Sequence, residues 1–287
     1  MKHSILSAII ALIFAIAASA QQRPLLTDDI DITPPGSIGV GIGVDFFQKA
    51  KFPLSGINGD LTRVGDLRVR MGFAANVEFQ VEGSLQNFIA INSRGPSAVP
   101  LSITGNSAND FDDFTLSAKI KLMNETKHLP GFGFKAGFQM PNTDQARGVG
   151  TNQINVFGKI LVQKGFGTLM GKTARFTAYG NLGIMIMTSP LESFTQNDVL
   201  IYGLAGIYRV NDRINLASEV NGRISTRNKP AALGTESIGQ FRFGTQIKAS
   251  GLRFDTAAAF GLTKASPRTG IIFGVTYQSP TIFSTAK

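Results

Sequence analysis

Cationic side chains recur at alternate positions of this sequence, and that spacing limits the chemistry they can do. Arg68 and Arg70, Lys119 and Lys121, Lys135, Arg175, Arg223, Arg242, Lys248 and Arg253 each stand between apolar or glycine neighbours, and Lys159 joins them if its segment keeps the same phase. Asp45, Glu78, Glu82, Glu219 and Asp255 follow the same alternation. Eleven cations against five anions give one face an excess of about six positive charges. A charge withdrawn from water without a partner is strongly disfavoured, so this face must meet water or find counter-charges. Lining a watery passage, it would concentrate anions and repel cations. Paired across neighbouring strands, it would fill the passage instead, and both readings stay open. The cations do not form a patch interleaved with stacking aromatics, so nucleic acid is not an expected partner.

Groups for covalent or metal catalysis are scarce. The chain has no Cys and two His, which removes thiol chemistry, disulfides and Cys-based zinc sites. A serine nucleophile needs a base beside it. His3 falls in a leader and His128 in a turn-like connection, 123–130, so neither is placed to serve. Gly171-Lys172-Thr173 has the ending of a phosphate-binding loop, but that loop needs four residues before its Gly-Lys pair. Gly165 leaves five and Gly167 leaves three, and the stretch reads as a turn. The run Asp110-Phe111-Asp112-Asp113 lacks the glycine and distal glutamate of a calcium loop and is at most a weak exposed cation site. No catalytic residue, metal site or cofactor is expected.

The elements that carry the alternating charges are strands. Ile38, Val40, Ile42, Val44 and Phe46 oppose Gly39, Gly41, Gly43 and Asp45, the period of two of a strand with one apolar and one polar face. The pattern recurs near 67–73, 77–82, 114–122, 132–140, 175–186, 214–223, 240–248, 252–260 and 271–277. Two further segments, 153–163 and 198–210, are apolar enough to be strands but ambiguous in phase. The total is about twelve. Short connections with tight-turn chemistry, Ala74-Ala75-Asn76, Asn211-Asp212 and Ser250-Gly251, alternate with longer ones. The longest lies near 85–111, and the first connection also reads as long. One end is trimmed and the other bears loops, as in outer-membrane barrels, and an even strand count puts both termini at the trimmed, periplasmic side.

Composition settles which face is outside. Only 16% of residues are charged while 43% are hydrophobic, and mean hydropathy is +0.09. Ordinary soluble domains carry about 25% charged residues, which argues against a soluble β-sandwich. Beyond the leader no apolar run approaches the ~20 residues of a membrane helix. Twelve strands would enclose an apolar hole too wide to pack, so the apolar face belongs on lipid. The expected fold is an all-β, transmembrane, antiparallel up-and-down barrel over residues 37–287.

Residues 1–20 read as a cleaved signal peptide: Lys2 and His3, an apolar stretch from Ile5 to Ala17, then Ala18-Ser19-Ala20. Residues 21–36 form an arm before the first strand that contains Asp28, Asp29 and Asp31. It reads first as a loose periplasmic tether, and alternatively as a small plug docked on the basic wall.

Several short stretches resemble the outer-membrane family named for the meta-pathway of phenol degradation. They are Leu26-Thr27-Asp28-Asp29 with Pro35-Gly36, Asp113-Phe114-Thr115-Leu116 with Lys119, Met140-Pro141-Asn142-Thr143, Asn181-Leu182-Gly183, and Glu219-Val220-Asn221-Gly222. The resemblance implies a twelve-stranded barrel that passes hydrophobic or aromatic compounds. The absence of Trp and a C-terminus without a terminal aromatic depart from outer-membrane barrel habits. The expected function is passive passage of small solutes, anionic or aromatic, through the outer membrane of a Gram-negative bacterium. Expected partners are outer-membrane lipid, the solutes, and the barrel-assembly machinery during biogenesis. The alternative is a structural or surface-interaction barrel with a blocked lumen, using the 85–111 loop as its contact.

Overall fold

The computed structural model describes residues 25–168, 174–191, 196–228 and 230–285. The signal-peptide reading and most of the Gly165–Thr173 stretch lie outside them. The chain forms β1 (Ile38–Phe52), β2 (Ile57–Ala74), β3 (Val77–Arg94), β4 (Ser107–Asp110), β5 (Phe114–Met123), β6 (Gly131–Met140), β7 (Asn155–Phe166), β8 (Phe176–Thr188), β9 (Gln196–Arg209), β10 (Ile214–Ser225), β11 (Ile238–Ala249), β12 (Leu252–Gly261) and β13 (Thr269–Gln278). Neighbours pair antiparallel, and β1 closes on β13 from Gly39 opposite Gln278 to Gln48 opposite Thr269. The short β4 and β5 both pair with β3 on one continuous register, Asn87 opposite Asp110 and Glu82 opposite Thr115. They are one broken strand, so the barrel has twelve staves.

The faces are inverted relative to a soluble protein. Ile42, Phe73, Leu122, Ile160, Ile184 and Leu204 lie exposed on the outer wall, whereas Glu78, Gln80, Lys119, Lys135, Glu219 and Arg242 are buried within. Withdrawing one such apolar side chain from water is worth about 1.5–3 kcal/mol. A whole belt left outside is stable only against lipid, and polar groups inside are stable only when they satisfy one another.

Two features depart from the sequence reading. The first connection is only residues 53–56, and the expected 85–111 loop is strand at both ends. β2 and β3 change face together where Gly65 lies opposite Leu85. Inward side chains run Arg70 and Arg68, then Leu61 and Ile57, on β2, and Glu78 and Gln80, then Asn87 and Ile89, on β3. Gly65 sits at φ +66°, and a Cβ there would stand 2.8 Å from the Leu85 side chain. Alternation therefore breaks in mid-strand, and a period-two reading stops early.

At the loop end, Phe47, Ala50, Ile57, Leu61 and Ile89 form an apolar cluster packed by Leu101, Ile103 and Val149 from the inturned loops. The acidic run latches these loops. Asp113 Oδ1 accepts from the Asn142 and Thr143 backbone N–H groups at 2.8 and 2.9 Å, and Asp110 Oδ2 accepts from the Asp144 N–H at 2.7 Å. Its oxygens are engaged by backbone donors. No group of three or more potential metal ligands occurs among the described residues.

Candidate functional site

The arm does not hang free. Residues 25–36 cross the lumen without regular secondary structure, and wall side chains satisfy their backbone groups. Glu219 accepts from the Leu26 and Thr27 N–H groups, both at 2.8 Å, and from Thr27 Oγ1 at 2.7 Å. Asn181 brackets Asp28, accepting from its N–H at 2.7 Å and donating to its carbonyl at 2.9 Å. Gln163 accepts from the Ile30 N–H at 3.2 Å, and Glu78 from the Thr33 N–H at 2.6 Å.

The strand positions of these partners give the arm's path. Gly36, bonded to Gly72, lies at the end of the barrel where β1 begins and β13 finishes. The chain then climbs past Glu78 and Lys121 to Asp28 at mid-barrel. It descends to Leu25, buried against Tyr179, Ala205, Ile207 and Ala217. The segment is an arch with both feet toward one mouth. Wall glycines make room for it: a Cβ at Gly72 would meet the Thr33 and Pro34 carbonyl oxygens at 2.2 Å. One at Gly131 would meet the tip of Ile30 at 2.2 Å, and one at Gly203 would meet Thr27 Oγ1 at 2.6 Å.

Charges from both sides meet along the arch. Lys135 reaches Asp28 at 3.1 Å, Glu82 at 2.8 Å and Gln80 at 2.5 Å, while Lys159 reaches Asp28 at 2.5 Å. Lys119 joins Asp29 at 2.9 Å to Glu78 at 3.1 Å, and Lys121 meets Asp31 at 3.4 Å. Arg68 pairs with Glu82 at 2.5 Å, Arg253 with Asp255 at 2.8 Å, and Arg242 with Glu219 at 3.8 Å. Arg70 is buried over Gly39. Asp45 is buried too, and its Oδ1 has no hydrogen-bond partner. Lys248 stands exposed at the rim nearest the arm's feet.

Arg175 is the exception. It precedes β8 instead of lying within it, and its guanidinium leaves the inward phase to stack on Tyr208 of the outer wall, 5.5 Å from the ring centre, with Nε donating to the phenol at 2.9 Å. Ten of the predicted cations thus face eight anions once the three arm aspartates are counted. The excess among these residues falls from about six to about two.

Above the arch lie two cavities of about 250 Å³ each. The lower one rests on Leu26 and Thr27 and is lined by Phe157, Met185, Ile201, Asn221 and Arg223. The upper one, beneath the loops, adds Lys51, Arg63 and Glu236, and Arg223 borders both. Arg63 escapes the alternation count because it precedes the face change at Gly65. A further groove of about 650 Å³, lined by Ile42, Val64, Leu85, Phe254 and Phe273, lies on the apolar outer face.

An apolar exterior, a closed antiparallel wall and a polar interior define a barrel of the outer-membrane type. Among solved structures, that of an outer-membrane channel from Pseudomonas putida F1 is similar at a TM-score of 0.62 and 14% identity, covering 88% of this chain and 99% of that one. The transport unit of the autotransporter AIDA-I from Escherichia coli is more distant, at a TM-score of 0.47 and 9% identity over 96% and 97% of the two chains. The outer-membrane channel DcaP of Acinetobacter baumannii gives 0.41 and 7% over 88% and 100%. No protein-family model matches the chain, and no curated protein does. The resemblance to the phenol-degradation family therefore rests on its short motifs alone, and the structural likeness establishes the fold.

Proposed function

We propose that this protein is a passive outer-membrane channel for small solutes, with the arm plugging the half of the lumen nearest the periplasm. The observation that carries the reading is the arch itself. Three aspartates of one segment engage four lysines from three strands of the wall, and the lower cavity ends on Leu26 and Thr27 of that segment. In this reading both termini face the periplasm, since Gly36 accepts from the Ile282 N–H at 2.7 Å at one rim, and the apolar belt sits in outer-membrane lipid. The barrel-assembly machinery would insert it. No catalytic role is assigned, because His128 lies exposed in the 124–130 connection.

A second reading is a structural barrel with a permanently blocked lumen, favoured by the apolar cap of Phe47, Leu61 and Ile89 beneath the loops. Single-channel conductance in planar bilayers, with and without residues 21–33, separates the two. A several-fold rise on deletion supports the plugged channel. Unchanged current removes the plug, and no current from either form favours the structural barrel.

A further inference from the structure

The lower cavity is built unlike the ion network beneath it. There every lysine meets a carboxylate: Lys159, at the cavity's edge, is held by Asp28 at 2.5 Å. Arg223 is different. Its Nε donates to the Glu236 carbonyl at 2.9 Å and one terminal nitrogen to the Gly234 carbonyl at 3.3 Å. No carboxylate lies within ion-pairing distance of it among the described residues. A guanidinium has five N–H donors, so donors are left over. Two residues along the same inward face of β10 stands Asn221, nine-tenths buried, whose Nδ2 has no hydrogen-bond partner. Rotation about its terminal torsion exchanges the amide's ends, so it can present either to a ligand. A cation outside any close ion pair, with the Glu236 carboxylate only nearby across the upper cavity, and an unsatisfied amide thus stand side by side, about 7 Å apart along the strand.

Thr27, Lys159 and Asn181 also border the cavity, but their polar groups are engaged by Glu219 and Asp28. Phe157, Met185, Ile201 and Ile238, with Leu26 as the floor, give it an apolar side. An inorganic anion would leave these groups facing water, and a neutral hydrocarbon would leave Arg223 and Asn221 without acceptors. We propose that the cavity binds small carboxylates carrying an apolar, ring-sized body. The carboxylate is taken by Arg223 and Asn221 in a charge-assisted pair, and the body lies against Phe157 and Met185. The volume of about 250 Å³ falls below that of drug-sized pockets and suits a single ring. Arg223 also borders the upper cavity, so a solute arriving from the loop side meets it before the arch. The assignment rests on reading the lumen as a solute route, and it concerns binding, which can be measured without transport.

Isothermal titration of the full-length, detergent-solubilised protein with benzoate, benzyl alcohol and acetate tests it. Benzoate should bind saturably at one site, and the other two at least about tenfold more weakly, the effect expected of losing a charged pair or an apolar contact. Arg223→Gln should lower benzoate affinity by about tenfold or more, with Arg223→Lys intermediate. Heat-modifiable migration on gels confirms that each variant is folded. Benzyl alcohol binding as tightly as benzoate overturns the proposal, as does Arg223→Gln binding normally or a folded protein giving no saturable benzoate signal. Conductance measured in parallel keeps the failures apart. A conducting barrel that ignores benzoate loses the site and keeps the channel, whereas a silent barrel that binds benzoate keeps the site and loses the channel.

Discussion

Asp28 Oδ1 and Lys135 Nζ meet at 3.1 Å in mid-lumen, across 107 residues of sequence. The pair joins the crest of the arch to β6, and Lys159 from β7 closes on the other carboxylate oxygen at 2.5 Å. One aspartate thus holds two cations from adjacent strands. Its loss would leave Lys159 without its carboxylate, while Lys135 would keep Glu82 and Gln80.

That asymmetry gives the first prediction. Asp28→Asn should unpin the crest of the arch and appear as added flicker in single-channel records. Breaking a buried pair by removing one partner costs about 3–5 kcal/mol. With Lys135 still paired but Lys159 left without its carboxylate, the stability loss should fall toward the low end of that range. Combining Asp28→Asn with Lys135→Gln should be less than additive, read as the shift in the temperature at which the barrel loses its compact migration on gels. Strict additivity would mean the two do not act as a pair.

Ion selectivity gives the second. With the arm docked, the charges considered above nearly balance, so the intact pore should be only weakly anion-selective. The triple variant Asp28→Asn, Asp29→Asn, Asp31→Asn removes three negative charges and should shift reversal potentials in a salt gradient clearly toward anions. A shift toward cations would contradict the basic-wall argument.

The acidic run gives the third. Asp113 holds the Asn142–Thr143 backbone through two N–H donors and the Thr143 hydroxyl. Asp113→Ala removes the acceptor of three donors, two of them, the Thr143 N–H and hydroxyl, buried where water has poor access. At about 1–3 kcal/mol for each buried unsatisfied group, the 141–154 loop should open before the barrel does. Limited proteolysis should then cut within that loop while the barrel stays intact, and added calcium should not protect it. Calcium protection would restore the cation-site reading of Asp110–Asp113.

How far the sequence reveals this arrangement depends on which contacts are local. Twelve strands are legible because lipid outside and charge inside enforce alternation on nearly every stave. It fails where the inner wall is itself apolar. Phe157 and Leu161 in β7, and Val199, Ala205 and Ile207 in β9, point inward, which left the phase of those two segments open. Ala205 and Ile207 do so because they receive Leu25. The strand tops of β2 and β3 are hidden by the face change at Gly65. Arg175 is misplaced by one residue of strand boundary and by an aromatic partner, Tyr208, that no local pattern announces. The arm's three aspartates are visible, but their lysines lie some 90–130 residues away. Only the closed barrel brings them together.

The last prediction separates shape from charge. Gly72 lies beneath one foot of the arch, and a Cβ there would come within 2.2 Å of two backbone oxygens, those of Thr33 and Pro34. Backbone cannot swing aside as a side-chain tip can, so Gly72→Val must lift that foot or distort β2. Gly131→Ala places its new methyl equally close, but chiefly against the Ile30 Cδ1 atom, which a rotamer change can remove. If the arch is the obstruction, Gly72→Val should raise conductance toward that of the arm-deleted form without altering a single charge, and Gly131→Ala should change it little. A cysteine placed at Thr33 should also label faster with a membrane-impermeant maleimide in the Gly72→Val background. Raised labelling with unchanged conductance would show that the foot moves but does not limit flow, and the obstruction would then lie higher, at the Asp28 crest or under the apolar cap.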